Sequence, residues 1–473
     1  MPLPSELVKA SHVLAVLFAS VAATLAVTQP SSDPDLFWHL ASGDWMLDHG
    51  RLLDRDVFSF TREGMPYTAG QWLGQVSLAL AFRAGEWPGI ALMRAALVGV
   101  ATLFLAGAVL RLQAHPGWAA PPIVAAILVS RLAWGDRPQL FTLALFPIFL
   151  YLLLRARDGG GHRALYVLPP LMLLWSNLHG AFVLGLALLL VFAVESQLTG
   201  HRHRREFGIT LLASALASVL NPSGLIAATW AGSYAASAGQ RVLEERPTDV
   251  LSPAGLISVL LLCAALGAAL ALGLAGVRSR VGSPLLWSGL IIPFALLGLA
   301  IQRQLPYACD VLAVFVAAAV PAALGRRHAV APTVPRPLAL TAVAVLVALL
   351  LVVGGIGAPR EPDLAAYPTG SLAELRGRPG NLLHEYDWGG YLIRVAPEHP
   401  TFIDGRLFPF VPDVLVDWTR AVEVRPGYAE VLERHDIRLV LLRPHRPLVA
   451  ALREQGWPVV AEEAERWVLL VRP

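Results

Sequence analysis

Residues 31–61 read SSDPDLFWHLASGDWMLDHGRLLDRDVFSFT and follow directly on the first apolar segment. Asp33 ahead of Pro34 has the form of a helix N-cap with proline at the first helical position. Gly50 has the form of the stop. The spacing therefore predicts a helix from Pro34 to His49. At about 100° per residue it has three faces. Asp35, His39, Ser42 and Met46 share one, Leu36, Leu40 and Leu47 a second, and Asp44 and Asp48 a third, with Trp38 and Trp45 flanking the Asp35/His39 face. Such a helix is expected to lie along a membrane surface, leucines in the interface and tryptophans at headgroup level.

The rest of the chain supports a membrane setting. Of its 473 residues 56% are hydrophobic and 15% charged, and the mean hydropathy is +0.58. A soluble chain carries about 25% charge, so the apolar excess is expected to face lipid. Cys263 and Cys309 both fall in apolar runs, which gives neither a disulfide framework nor zinc spacing. The net charge of +3 gives no sign of a nucleic-acid partner. Residues 11–28 are expected to stay as an uncleaved first span, because many spans follow.

About eleven spans are expected, near 11–28, 89–110, 118–134, 139–155, 164–177, 180–198, 207–221, 254–276, 283–301, 306–324 and 337–357. Residues 72–86 read as a second surface helix. One alternate set of connections carries Lys9, Arg111, Arg155, Arg157, Arg163, Arg202, Arg204, Arg205, Arg278, Arg280, Arg326, Arg327 and Arg336. The other set carries Asp136-Arg137-Pro138-Gln139, Asn177-Leu178-His179-Gly180, Asn221-Pro222-Ser223-Gly224, Glu244-Glu245-Arg246 and Gln302-Arg303-Gln304. The positive-inside rule puts the first set and the N-terminus in the cytoplasm, and the second set, the 31–88 loop and the tail outside.

After residue 357 charge rises and apolar runs shorten. Strand-length runs at 381–384, 401–403, 438–442, 458–461 and 466–471 alternate with helical patterns, which indicates a small α/β domain over 358–473. Glu385-Tyr386-Asp387-Trp388-Gly389-Gly390 and Asp404-Gly405-Arg406 fall just past two strand ends, where open α/β sheets place ligand groups. Asp–Gly and Gly–Gly are also ordinary turn chemistry. The expected architecture is an all-α polytopic membrane bundle over 1–357, its outer loop at 31–88, followed by this extracytoplasmic domain.

An uncleaved span, an outward loop with Asp33-x-Asp35 on a surface helix, a second surface helix and a multi-span bundle together resemble the GT-C superfamily of membrane glycosyltransferases. DPDLFWHLASGDWMLDHG, DRPQLFTL at 136–143, LWSNLHGAFVLG at 174–185, LNPSG at 220–224, YDWGGYLI and FIDGR resemble bacterial family-39-like members of that group. The resemblance implies inverting transfer of a sugar from a polyprenyl-phosphate donor in the bacterial cytoplasmic (inner) membrane to an extracytoplasmic acceptor. The acid of the first outer loop, here Asp35 or Asp33, is implied as base or metal group. No WWDxG-type signature is found. A divalent cation (Mg or Mn) is compatible with the family, but two carboxylates are too few ligands to specify one.

The chemistry fits these residue types. An acceptor hydroxyl needs a carboxylate within hydrogen-bond reach, and a leaving lipid phosphate needs positive charge or donors. Arg137 and Arg303 offer bidentate geometry for phosphate. His39, Gln139, Asn177, His179, Glu244, Tyr386, Asp387, Trp388, Asp404 and Arg406 complete the expected substrate-binding set. Each has a plainer reading: Asp33 as a cap, Arg137 as a partner of Asp136, Arg303 as an anchor at a helix end, Asn177 as a turn residue, Glu244 as a surface charge. Two other function classes compete, a non-catalytic scaffold whose tail binds an envelope polymer and a transporter of a lipid-linked substrate. No internal repeat supports the transporter.

Overall fold

The computed structural model describes residues 7–113, 115–159, 161–224, 245–274, 281, 283–326 and 333–473. In chain order, β1 (Leu7–Lys9) leads into α1 (Ala10–Val27), α2 (Asp35–His49), α3 (Trp72–Leu112), α4 (Pro116–Ser130), α5 (Gln139–Arg157), α6 (Leu168–Leu178), α7 (Val183–Leu198) and α8 (Arg204–Ser218). Then come α9 (Pro253–Leu274), α10 (Pro284–Ala300), α11 (Leu305–Ala323), β2 (Thr333–Pro335) and α12 (Arg336–Gly357). Among the described residues, eight helices are long and apolar enough to cross a membrane, and Pro284–Ala300 is a shorter apolar one. The architecture is that of a multi-pass membrane protein.

The chain forms two compact units, each built from two segments: Met1–Gln29 with Pro88–Pro359, and Pro30–Trp87 with Arg360–Pro473. The expected domain limits put residues 31–88 with the spans; in the structure 30–87 packs with the tail. The change occurs within α3, where Gly85 and Glu86 leave helical geometry just before Pro88. The expected surface helix and the following span are thus separate elements on either side of that kink.

In the first unit α11 is the central helix. Apart from Asp310 it is apolar and almost wholly buried, as a core helix should be. Small residues let its neighbours close in: a Cβ on Gly298 of α10 would stand 2.9 Å from Ala308 Cβ. By contrast α12 presents Leu349, Leu351 and Ile356 outward, the last 83% exposed, which in a membrane is a lipid-facing surface. The charged side chains inside spans escaped the sequence reading. Arg94 in α3 is buried with Asp136, Nη1 to Oδ2 at 2.6 Å, and also donates from Nε to the Ala26 carbonyl at 2.9 Å. Asp136 therefore pairs across helices, as a buried membrane charge must.

The second unit contains α2 and a four-stranded sheet of β3 (Asn381–His384), β4 (Ile437–Leu442), β5 (Val459–Glu463) and β6 (Trp467–Val471), in the order β3-β4-β6-β5. β3 and β4 are parallel; β4–β6 and β6–β5 are antiparallel. Helices α13 (Gly389–Val395), α14 (Asp413–Val422), α15 (Tyr428–Arg434) and α16 (Pro447–Glu454) connect and cover it. Residues 401–403, expected as a strand, instead meet the outer loop: Thr401 N–H donates to Phe58 O at 2.9 Å and Phe60 N–H to Thr401 O at 3.1 Å.

The helix predicted over Pro34–His49 is α2, and Gly50 closes it with φ +63°. Asp33 caps it, its Oδ1 accepting from Asp35 N–H at 3.0 Å. Its setting differs from expectation. Leu36, Phe37, Trp38, His39 and Leu40 are all buried within the unit, so Trp38 is not an interface anchor. Phe37 packs edge-on against Tyr367 and Tyr391 of the tail, both at 5.3 Å. A leucine stripe reads the same whether lipid or protein covers it, and here protein does.

Candidate functional site

The first unit gathers polar residues from four places in the sequence. Gln139 opens α5, His179 lies in the turn between α6 and α7, Arg303 precedes α11, and Arg137 ends the turn before α5. The His179 Nδ1 accepts from Thr142 Oγ1 at 2.8 Å, and Thr142 accepts in turn from Trp175 Nε1 at 2.8 Å. Ala181 N–H also donates to His179 Nδ1, at 3.4 Å, which places the proton of the neutral ring on Nε2. Burial, helped by Arg303 and Arg137, holds its pKa down at about 3, so it stays an uncharged donor at neutral pH. Arg303 Nη1 lies 2.6 Å from Glu245 Oε1. Glu244 lies outside the described residues.

Tyr307, one turn into α11, is buried within electrostatic reach of Arg303, Asp310 and Arg137, with the Gln139 side chain beside it. Neither Tyr307 nor Asp310 was singled out from the sequence. The available signal was a lone carboxylate in an otherwise apolar span, which points to function by default. Asp310 is 4% exposed. Asn177 has the plainer role: its Nδ2 donates to Leu173 O and Leu220 O, both at 2.9 Å, and ties two turns together.

In the second unit Asp35 is half-buried, and its Oδ1 accepts from Trp38 Nε1 at 2.9 Å. The backbone of the Phe402-Ile403-Asp404-Gly405-Arg406 turn lies directly on it: a Cβ on Gly405 would stand 2.3 Å from Asp35 Oδ1. His39, expected beside Asp35, is buried with its Nδ1 3.4 Å from Gln75 Nε2. Burial, with the negative fields of Asp33, Asp387 and Asp35, pushes the Tyr367 phenol well up. Tyr367 thus marks where the loop acids and a tail acid come close together.

Asp404 and Arg406 are interior. Arg406 Nε donates to Asp404 Oδ1 at 2.7 Å and Nη2 to Asp404 Oδ2 at 2.6 Å, while Asp56 Oδ2 lies 2.9 Å from the same Nη2. Phe58, Tyr67 and Phe410 enclose the guanidinium at 5.2, 5.3 and 5.5 Å. Burial alone would lower the Arg406 pKa, but Asp404, Asp56 and Tyr67 raise it overall. With Asp404 at 0% and Arg406 at 5% exposure, this triad joins loop to tail, and Arg406 Nη1 is left without a hydrogen-bond partner among the described residues. The sequence could not show it, because Asp56 lies far from both in the chain.

The turn after β3 is more open. Trp388 is buried, its Nε1 donating to Ala366 O at 2.9 Å, whereas Tyr386 and Asp387 are partly exposed. Asp387 Oδ2 accepts from Arg443 Nη2 at 2.5 Å, and Glu385, fully buried, holds Arg446 through Nε at 2.8 Å and Nη2 at 2.5 Å. Arg443 and Arg446 follow β4, so the two parallel strand ends meet in matched ion pairs.

No three His, Cys, Asp or Glu side chains among the described residues are arranged to hold a metal ion.

No family model matches the sequence, and no curated protein is significantly similar to it. The fold is similar to that of solved oligosaccharyltransferases. Among solved structures, the archaeal oligosaccharyltransferase AglB from Archaeoglobus fulgidus, in complex with an inhibitory peptide and a dolichol-phosphate, matches with TM-score 0.55 at 11% identity, over 91% of this chain and 69% of its own. The apo crystal structure of the Archaeoglobus fulgidus oligosaccharyltransferase matches with TM-score 0.51 at 13% identity and the same coverage. At such identities the likeness is one of fold.

Proposed function

We propose that this chain is an integral-membrane glycosyltransferase of the bacterial cytoplasmic membrane, moving a sugar with inversion from a polyprenyl-phosphate donor to an extracytoplasmic acceptor. The observation that carries this reading is the convergence of Arg137, Gln139, His179, Arg303 and Tyr307 in one polar cluster of a lipid-facing bundle. Two guanidiniums and neutral N–H and O–H donors suit a phosphate leaving group. The fold, shared with an enzyme solved with a dolichol-phosphate, supports a lipid-linked donor. Asp35 is assigned the acceptor's proton ahead of Asp33, whose carboxylate is spent on the cap. The Trp38 indole N–H donates to the Asp35 carboxylate and orients it.

The test is sugar transfer in membranes carrying the wild type, Asp35→Asn, Asp33→Asn or Arg303→Gln, over a panel of polyprenyl-phosphate sugars at matched protein levels. Loss of a general base predicts a fall of about 10²–10⁴ in rate for Asp35→Asn. A wild type that transfers nothing from the panel, or full activity in both aspartate variants, removes the assignment. The scaffold reading, favoured by the close cover of Gly405 over Asp35, would then lead.

A further inference from the structure

Between the start of α1, the end of α3 and the end of α5 the first unit has a cavity of about 480 Å³, a volume typical of small-ligand sites. It lies at the arginine-rich ends of the spans, the ends opposite the cluster described above. Lys9, His12 and Arg111 line it, with the Tyr151 phenol and one carboxylate, Asp158. Arg111 Nε donates to Asp158 Oδ2 at 3.1 Å, which balances that pair. Lys9, the only lysine in the chain, makes no ion pair among the described residues. The cavity therefore carries an unmatched positive charge beside a guanidinium with further N–H groups to donate.

Apart from Ser11, the remaining wall is apolar, formed by Ala15, Gly107 and Leu110. A Cβ on Gly107 would stand 3.4 Å from the Tyr151 ring, so the absence of a side chain lets that ring lie directly on α3. A ligand held here has its charged end among Lys9, Arg111 and Tyr151 and its remainder against apolar helix flanks. Basic pockets between spans at the positively charged membrane face suit anionic lipid headgroups.

We propose that this cavity binds the phosphodiester headgroup of an anionic glycerophospholipid. The site is separate from the transfer chemistry and does not depend on it. A free phosphate shares the headgroup's charge, so the experiment separates the two sources.

The full-length protein is placed in phosphatidylcholine nanodiscs, and its thermal unfolding is followed while phosphatidylglycerol is substituted into the disc. Phosphatidylglycerol is expected to raise the Tm of the wild type saturably. Lys9→Ala, which leaves the Arg111–Asp158 pair intact, should weaken the apparent affinity by about fivefold, and Lys9→Arg should restore it. Arg163→Ala, of equal charge change on a different connection, should respond like the wild type. The proposal is overturned if phosphatidylglycerol has no effect, or if Lys9→Ala and Arg163→Ala behave alike. Equal stabilisation by inorganic phosphate in phosphatidylcholine discs would also overturn it, since the occupant would then be a free anion.

Discussion

Arg406 is held by two buried carboxylates and enclosed by three aromatic rings. Arg406→Ala strands Asp56 and Asp404 without a counter-charge and should destabilise the second unit by about 3–5 kcal/mol, read as a loss of Tm and of protein yield. His384 makes a second prediction. Its Nδ1 donates to Glu385 O at 2.8 Å and its Nε2 accepts from Phe402 N–H at 3.2 Å, so it is neutral, and burial lowers its pKa. With the folded pKa below the unfolded value of about 6.5, the unfolded chain binds the extra proton first. Stability is complete above that value and falls as pH drops below it. His384→Gln should flatten the fall in Tm between neutral and mildly acidic pH. Neither role was legible in the sequence: FIDGR and LLHEY read as strand ends and turns, Arg406 is held by Asp56, 350 positions away, and His384 by the Phe402 backbone, 18 positions on.

At the scale of elements the sequence was most legible where local rules act alone. Asp33, Pro34 and Gly50 gave α2 to within a residue. Of about eleven expected spans eight are described helices long and apolar enough to cross, while the runs near 164–177, 207–221 and 283–301 form shorter helices. What covers α2 was not legible, because periodicity counts apolar residues and does not identify their neighbours. Two glycines of this helix separate the causes. Gly43 packs where a Cβ would stand 2.3 Å from the Gln75 carbonyl oxygen in the first part of α3. A backbone atom yields little, so Gly43→Ala should cost about 1–3 kcal/mol through overpacking. Gly50 has open space but a left-handed φ of +63°, so Gly50→Ala should cost only about 1 kcal/mol of strain. Thermal unfolding of the two variants side by side gives the order, and a larger loss at Gly50 would contradict it.

For the whole molecule, the alternation of basic and mixed connections foretold which loops carry the polar cluster, since that signal sums over the entire chain. It did not foretell that the outer loop belongs with the tail. Thr61 Oγ1 donates to Phe402 O at 2.7 Å, Arg62 Nε to Pro409 O at 2.7 Å, and Arg394 pairs with Asp44 at 3.0 Å. A tail of residues 360–473 expressed alone should therefore be protease-sensitive, and linking residues 30–87 to it should protect it. A chain ending at residue 357 should in turn lose protease resistance within 30–87. Protection of the isolated tail would contradict the shared core.

The same joinery sets an order in time. The contact between Thr61 and Phe402 spans 341 residues, and at a synthesis rate of about 5–20 residues per second its two halves are made roughly 17–70 s apart. For that interval Leu36, Phe37 and Trp38 have no permanent cover, and the carboxylate of Asp56 has no arginine. The outer loop is thus a waiting half-domain during biosynthesis, open to proteases and to wrong partners until the last quarter of the chain arrives.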